Sequence, residues 1–284
     1  MKCETCEECE TCDNQPGYRA SMQITAVVNQ KGGVGKTTTT INLGGALAEL
    51  GRRVLLIDLD PQGHLTEALQ LSEAPDKRNL AGILTGAWTG SVEEIIVPYS
   101  TPGSGRLDVI VTTLEMFTVG RELDRLRARE ERLDRVLAPL KDLYDHCLID
   151  CPPALDILTD NALTAADGVL IPVQAEDSTL RALRLLLAQI DALESELRRT
   201  PLTLHGMVVS MLDRGAGGQA RSNIGRSVIN ALEGLPLPIV ATVPRGVPIS
   251  EAWRYGRTVT DYAPDSEHAT EFRTLAAVLD KASA

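Results

Sequence analysis

The stretch Asn29-Gln30-Lys31-Gly32-Gly33-Val34-Gly35-Lys36-Thr37-Thr38 decides the fold of this chain. It follows an apolar run, Ile24–Val28, and opens a helical pattern, Thr37–Leu50, so it lies at a strand-to-helix turn. Glycines at such a turn let backbone amides surround phosphate oxygens, and the start of the helix adds the positive end of its dipole. We therefore predict a phosphate loop in which Lys36 contacts the β- and γ-phosphates and the Thr37 hydroxyl binds Mg²⁺.

Short apolar runs alternate with helical patterns along the rest of the chain. The predicted strands are Ile24–Val28, Val54–Ile57, Leu107–Val111, Cys147–Ile149, Val169–Val173, Gly206–Ser210 and Ile239–Val243. The predicted helices are Thr37–Leu50, Arg121–Leu140, Leu155–Ala166, Thr179–Leu197, Ser222–Leu232 and Glu267–Lys281. Strands separated by helices favour βαβ units, and hence an α/β fold with a mostly parallel, doubly wound sheet flanked by helices.

Composition indicates an ordinary globular protein. Of 284 residues, 43% are hydrophobic and 24% are charged, and the formal net charge is −11. No apolar run is long enough to cross a bilayer, and the first twenty residues carry no apolar stretch of a secretory signal. The acidic total argues against uniform coating of nucleic acid but leaves room for a local basic patch. We expect a cytoplasmic location.

The first twenty residues differ from the rest. We predict that residues 1–20 form an acidic, cysteine-rich and disordered tail, and that residues 21–284 form the folded domain. Four cysteines, Cys3, Cys6, Cys9 and Cys12, follow a C-x2-C-x2-C-x2-C spacing that could hold Zn²⁺ or an iron–sulfur cluster. Metal binding by the tail stays open.

The stretch Lys31–Thr38 resembles the deviant Walker motif of the ParA/MinD ATPases, a branch of the P-loop NTPases. Leu56–Gly63 (LIDLDPQG) is similar to the family's second motif, and Cys147–Pro153 (CLIDCPP) resembles its Walker B strand. The resemblance continues through two further stretches, Ala162–Glu176 and Val243–Gly256. It covers about residues 22–280, and its last segment favours the ParA partition branch.

The resemblance implies an Mg²⁺-dependent ATP hydrolase. Aspartates that follow parallel strands lie at the sheet edge where α/β proteins bind ligands. Asp150 would hold the hydrated Mg²⁺, Asp58 would support the magnesium shell, and Asp60 would orient or deprotonate the attacking water. The family's lysine equivalent to Lys31 crosses a dimer interface to the partner's phosphates, which implies an ATP-sandwich homodimer.

The nucleotide contacts follow from the same motifs. The phosphate contacts are assigned to Lys31, Gly32, Gly33, Val34, Gly35, Lys36, Thr37 and Thr38. By resemblance, the adenine contacts come from the end of one strand at Met211 and from the loop at Pro244, through backbone atoms.

Two other branches of the family are less consistent with this chain. A membrane-binding relative would end in a basic amphipathic helix, but Glu271–Ala284 contains only Arg273 and Lys281 as basic residues. An iron–sulfur scaffold ATPase remains an alternative because of the cysteine-rich tail. Such scaffolds resemble a pattern with a later C-x-x-C pair, whereas here the only other cysteines, Cys147 and Cys151, flank Asp150.

A partition ATPase also needs a surface for DNA. Between residues 205 and 258 there are six arginines (214, 221, 226, 245, 254 and 257) against Asp213, Glu233 and Glu251, a local charge of +3. We take Arg221, Arg245 and Arg254 as candidates for non-specific, backbone-directed DNA binding. The expected protein is nucleoid-associated and works with a ParB-like partner; its cargo could be a chromosome, a plasmid or a protein assembly.

Overall fold

The computed structural model describes residues 21–72, 77–101, 103–197, 200–215 and 219–282. The strands are β1 Gln23–Val27, β2 Arg53–Asp58, β3 Ile96–Tyr99, β4 Arg106–Ile110, β5 His146–Asp150, β6 Gly168–Val173, β7 Thr203–Leu212 and β8 Ile239–Pro244. Within the described residues they form one sheet in the order β3-β4-β2-β5-β1-β6-β7-β8. All neighbours pair in parallel except β3, which runs antiparallel to β4 at one edge.

Helices connect these strands and follow the last of them. Their bounds are α1 Lys36–Glu49, α2 His64–Ala68, α3 Leu80–Thr85, α4 Met116–Leu123, α5 Arg132–Leu137, α6 Ile157–Ala165, α7 Thr179–Leu197, α8 Asn223–Glu233, α9 Val247–Arg254, α10 Val259–Tyr262 and α11 Glu267–Ala282. None of the helices in the described ranges combines the length and the apolar character that a bilayer crossing requires.

Both faces of the sheet are covered, as a mostly parallel sheet demands. In β2, Leu55 and Ile57 join the core cluster that also contains residues of α6, α7 and α8. Val54 and Leu56 alternate into the opposite cluster, which contains residues of α1 and α11. The predicted fold class and all seven predicted strands are confirmed.

The predicted helix Arg121–Leu140 is wrong. The segment is broken into α4, a 3-10 turn at Arg129–Glu131, α5 and a second 3-10 turn at Ala138–Leu140. Ala128 has a φ of +48°, which an α-helix does not allow, and Pro139 lies at the start of the last turn. The strand β3 and the helices α2, α3, α9 and α10 were not predicted.

One sequence prediction falls on residues without description. The tail with Cys3, Cys6, Cys9 and Cys12 lies outside the described residues. The division into a tail and one folded domain therefore stays a prediction.

Candidate functional site

The phosphate loop joins the end of β1 to the first residue of α1. Gly33 and Gly35 have φ values of +72° and +90°, which L side chains rarely adopt. A Cβ at Gly35 would also lie 3.0 Å from Ser210 Oγ. Lys36 opens α1 and is buried, with Nζ donating to the Lys31 carbonyl oxygen at 3.3 Å. Burial lowers the pKa of Lys36, and the nearby charge of Asp150 opposes that shift.

Two carboxylates meet where β2 and β5 end. Asp58 and Asp150 are direct neighbours in the strand register, and both are fully buried. The Thr37 hydroxyl donates to Asp150 Oδ2 at 2.7 Å. Thr66 donates to Asp58 Oδ2 twice, from its backbone N–H at 2.9 Å and from its hydroxyl at 2.6 Å. These side chains thus join the phosphate loop to the carboxyl edge of the sheet.

Burial opposes ionisation of both aspartates. Burial raises the pKa of Asp58 to about 6, although the hydrogen bonds from Thr66 lower it. Burial, and then the charge of Asp58, raises the pKa of Asp150 well above its ordinary value. The Oδ1 atoms of both aspartates have no hydrogen-bond partner among the described residues. Buried, unsatisfied carboxylate oxygens beside a threonine hydroxyl fit a hard divalent cation such as Mg²⁺.

Asp60 lies just beyond the end of β2. Its Oδ1 accepts a hydrogen bond from the Gln62 backbone N–H at 2.9 Å, and its carbonyl oxygen accepts one from Gly63 at 3.0 Å. A tight turn therefore holds this carboxylate at the same edge as Asp58 and Asp150, with 6% of its surface exposed. All the acidic residues predicted for this site lie at one end of neighbouring strands.

A cleft of about 740 Å³ extends from the phosphate loop. Its walls include Gly35 and Thr38 from the loop side, and Met211 and Pro244 from the ends of β7 and β8. Two of the predicted phosphate residues, Gly35 and Thr38, and both predicted adenine residues thus line one cavity. Trp253 and Phe272 also line it. Trp253 belongs to a stretch of family resemblance, but nothing in the sequence singled out either residue for this cavity.

The loop between β6 and α7, Gln174–Ser178, is the part of the site that sequence reasoning missed. Gln174 Nε2 donates to the Gly33 carbonyl oxygen at 3.1 Å. Lys31 Nζ donates to Glu176 Oε2 at 2.5 Å and to Ser178 Oγ at 3.1 Å. Gln174 and Glu176 belong to a stretch of family resemblance, but nothing in their spacing pointed to the phosphate loop.

The common phosphate-loop pattern GxxxxGK[ST] has a glycine at the position of Gln30, and the glutamine found here has a structural role. Gln30 Nε2 donates to the Ala182 carbonyl oxygen in the first turn of α7 at 3.2 Å. The phosphate loop is therefore fastened to α7 as well as to the β6–α7 loop.

The candidate DNA-binding arginines are exposed, but their surroundings differ. Arg245 lies 3.4 Å from Asp213, whereas Arg221 and Arg254 have no acidic partner in the part of the chain that the structure describes. Of the other arginines counted with them, Arg214 pairs with Glu267 and Glu271, and Arg257 pairs with Asp261. The local positive charge is therefore smaller than the count along the sequence predicts.

The two cysteines beside Asp150 are not arranged to bind a metal. Cys147 and Cys151 are free and fully buried, and burial raises the pKa of both thiols. Within the described ranges, no group of three or more His, Cys, Asp or Glu side chains could hold a metal ion.

Comparisons with known proteins place this site in a family. A family model described as an AAA domain matches residues 22–202. The sporulation initiation inhibitor protein Soj of Bacillus subtilis (strain 168) is 40% identical over 256 residues, which cover 89% of this chain and 96% of Soj. The chromosome partitioning protein ParA of Caulobacter vibrioides (strain NA1000 / CB15N) is 37% identical over 249 residues, covering 85% of this chain and 87% of that protein. The crystal structure of cobyrinic acid a,c-diamide synthase from Mycobacterium smegmatis, with bound ATP analog and magnesium, has a TM-score of 0.74 at 31% identity, covering 91% of this chain and 94% of that one. The resemblance seen in the sequence is confirmed, and the chain belongs to the ParA/MinD family of P-loop ATPases.

Proposed function

We propose that this chain is a partition ATPase that binds ATP with Mg²⁺, pairs as an ATP-sandwich homodimer and then binds DNA without sequence preference. With a ParB-like partner that stimulates hydrolysis, it would move a chromosome or plasmid and would be found on the nucleoid. The observation that carries the proposal is the chain of contacts from Thr37 through Asp150 to Asp58 beside a two-lysine phosphate loop. The Soj and ParA relatives support the same activity.

Hydrolysis would depend on positioning and charge, since phosphoryl transfer needs little covalent help from the protein. Thr37, Asp58 and Asp150 would hold Mg²⁺, which neutralises phosphate charge when it is bound. Lys36 places a positive charge beside the loop amides. Asp60, fixed by its turn, would orient the attacking water or accept its proton.

Dimerisation would depend on Lys31. Its side chain is 25% exposed at the rim of the phosphate loop, so it can reach outward without unfolding the loop. A lysine supplied by the partner would neutralise transition-state charge as an arginine finger does. The nucleotide would then join the two subunits as well as being their substrate.

DNA binding would follow from the dimer. One subunit would present Arg221, Arg245 and Arg254 once, whereas a two-fold dimer would present them twice on one composite surface. Each phosphate contact changes the slope of log affinity against log salt by about −0.9. Doubling the contacts would allow binding despite the net charge of −11.

The test compares the parent chain with Lys36→Ala and Lys31→Ala, with Lys141→Ala as a control because Lys141 pairs with Asp134 away from the site. ATP binding, sedimentation and retention on duplex DNA are measured without nucleotide, with ADP and with ATP. We expect Lys36→Ala to lose ATP binding, and Lys31→Ala to bind ATP but lose both dimerisation and DNA retention. Equal DNA binding of the parent in all three nucleotide states, or none with ATP at low salt, would overturn the proposal.

A further inference from the structure

Lys31 is held within its own subunit by the β6–α7 loop. Its ammonium group donates to Glu176 Oε2 and to Ser178 Oγ, and its backbone N–H donates to Asn29 Oδ1 at 3.0 Å. Both ends of the residue are therefore engaged inside one chain. The lysine that the proposed dimer needs across its interface is paired with a carboxylate of its own subunit.

The position of Glu176 is fixed by the loop around it. Thr179 donates from its hydroxyl to the Gln174 carbonyl oxygen at 2.5 Å and from its backbone N–H to the Glu176 carbonyl oxygen at 3.0 Å. Gln174 is in turn bonded to Gly33 of the phosphate loop. Glu176 thus sits on a short segment anchored at both the phosphate loop and α7, which places its carboxylate beside Lys31.

The pair is accessible enough to exchange partners. The Lys31 side chain is 25% exposed and the Glu176 side chain 56% exposed, so solvent screens the attraction between them. A lysine ammonium forms a compact point charge that a phosphate can attract as well as a carboxylate can. Release of Lys31 from Glu176 is therefore unfavourable, but its free energy is small.

We propose that Glu176, assisted by Ser178, is a positioning residue that keeps Lys31 in its own subunit and competes with the partner's nucleotide for it. This inference rests on the proposed ATP-dependent dimer, and it adds an energetic cost that must be overcome before the dimer forms. Each subunit must give up its internal ion pair before its lysine can cross. The ATP concentration at which dimers form would then depend on the Glu176 carboxylate.

The expected size follows from the exposure of the pair. Exposed ion pairs shift an equilibrium by a factor of about 1.4 to 5 each. Since a symmetric dimer releases two of them, removing the carboxylate should favour the dimer by about two- to thirty-fold. Glu176→Asp, with a shorter side chain, should restore part of the parent's behaviour.

The first experiment measures the dimer fraction by sedimentation against the concentration of a slowly hydrolysed ATP analogue. Variants are Glu176→Gln, Glu176→Asp and Ser178→Ala, and the matched control is Asp177→Asn. Asp177 is exposed and adjacent to Glu176, so the control removes the same charge and keeps the pairing of Glu176 with Lys31. We expect Glu176→Gln to dimerise at lower nucleotide concentration than the parent, Ser178→Ala to shift less in the same direction, and Asp177→Asn to match the parent.

If Glu176→Gln needed the same nucleotide concentration as the parent to form dimers, or a higher one, the proposed competition would be overturned. An equal shift in Asp177→Asn would overturn it too, because the effect would then be one of general charge.

The second experiment observes Lys31 directly in the nucleotide-free chain. The six lysines are Lys2, Lys31, Lys36, Lys77, Lys141 and Lys281, few enough for each ¹³C-methylated ammonium signal to be assigned by Lys→Arg variants. We expect the Lys31 signal to move in Glu176→Gln and to stay in place in Asp177→Asn. A Lys31 signal that does not move in Glu176→Gln would show that Glu176 does not hold Lys31, and it would overturn the proposal. A parent chain that stays monomeric at saturating ATP would instead overturn the proposed dimer, and the competition with it, whatever the Lys31 signal shows.

Discussion

Asp58 and Asp60 are two residues apart, yet their surroundings suit them to different work. Asp58 is fully buried and bonded twice by Thr66, whereas Asp60 is 6% exposed and accepts hydrogen bonds from the backbone amides of its turn. A rigid, buried carboxylate is suited to supporting a metal shell. A carboxylate held by a turn just beyond the strand end is suited to orienting water.

Replacing Asp60 by Ala should separate binding from hydrolysis. The carboxylate lies outside the phosphate loop, so ATP binding should persist, while loss of a group that orients water should slow hydrolysis by about 10²- to 10⁴-fold. Dimers should accumulate with ATP. Phosphate release and sedimentation check this, with Asp191→Ala on the exposed surface of α7 as the control. Turnover at the parent's rate would show that Asp60 has no such role.

Thr66→Val should destabilise the fold. The hydroxyl donates to Asp58 and accepts from the Thr112 backbone N–H at 3.2 Å, so its removal leaves buried polar groups without partners. We expect a decrease of about 1–3 kcal/mol in the free energy of unfolding, measured with urea. Thr118→Val provides the control, because that hydroxyl is exposed. Equal decreases in the two variants would mean that the Thr66 hydroxyl is unimportant.

Among the elements, α11 connects the end of the described chain to the sheet. Phe272, Leu275 and Leu279 are buried in the core cluster beneath it. Asp280 adds a polar connection, accepting hydrogen bonds from Arg52 at 2.7 and 2.8 Å and lying 3.1 Å from His146 Nε2. Burial alone would raise the pKa of Asp280, but the hydrogen bonds with Arg52 and His146 outweigh it and lower that pKa.

The contribution of Asp280 should depend on pH. A carboxyl whose pKa is lowered by folding stabilises the folded state above its unfolded pKa, about 4, and that stabilisation disappears as pH falls through the lower folded value. Asp280→Asn should therefore unfold in less urea than the parent at pH 7, with the difference narrowing below about pH 4. Asp191→Asn should show no such difference. If the difference in the urea concentration needed to unfold the parent and Asp280→Asn stayed constant with pH, the effect would not have an ionic origin.

The helices and strands also show how far the sequence could predict the fold. The strand-forming runs were short, apolar and bounded by helices, and each became a strand. In contrast, Leu123, Leu133, Leu137 and Leu140 are buried as one amphipathic helix would bury them, but on separate short elements. An apolar period reports which residues face the core and does not reveal a backbone break at Ala128.

The candidate site likewise contains residues that local sequence patterns predicted and contacts that those patterns did not predict. Lys36 and Thr37 were predictable because a strand, a glycine loop and a helix start are local features, and the aspartates because they follow strands. The contacts of Lys31 with Glu176 join residues 145 positions apart. No local pattern encodes them, since they depend on β6 lying beside β1 in the sheet.

At the scale of the whole molecule, the distribution of charge decides whether an acidic protein can bind DNA. The candidate DNA-binding arginines Arg221, Arg245 and Arg254 lie between β7 and the end of α9. Part of the positive charge in this region is neutralised within the chain. Arg254 and Arg257 are three residues apart, but only Arg257 has an acidic partner, Asp261, among the residues that the structure describes.

This difference provides a matched pair of variants. Arg254→Glu should weaken DNA retention of the ATP-bound dimer and reduce the salt slope by about 0.9 for each DNA phosphate that is no longer neutralised, without altering sequence preference. Arg257→Glu should weaken retention less, because that guanidinium already pairs with Asp261. Retention on duplex DNA over a salt series measures both. Equal losses would mean that pairing with Asp261 does not matter, and unchanged retention in both variants would mean that DNA binds elsewhere on the surface.

If copies of this chain gather on DNA as proposed, their local concentration rises, and the edges of neighbouring sheets then meet more often. The edge strand β3 is only four residues long and contains Pro98, which has no backbone N–H to continue a ladder. Short edges interrupted by proline resist pairing with a second copy. At this edge, crowding on DNA would therefore not turn into aggregation, and the copies would remain free to leave one another when they are released.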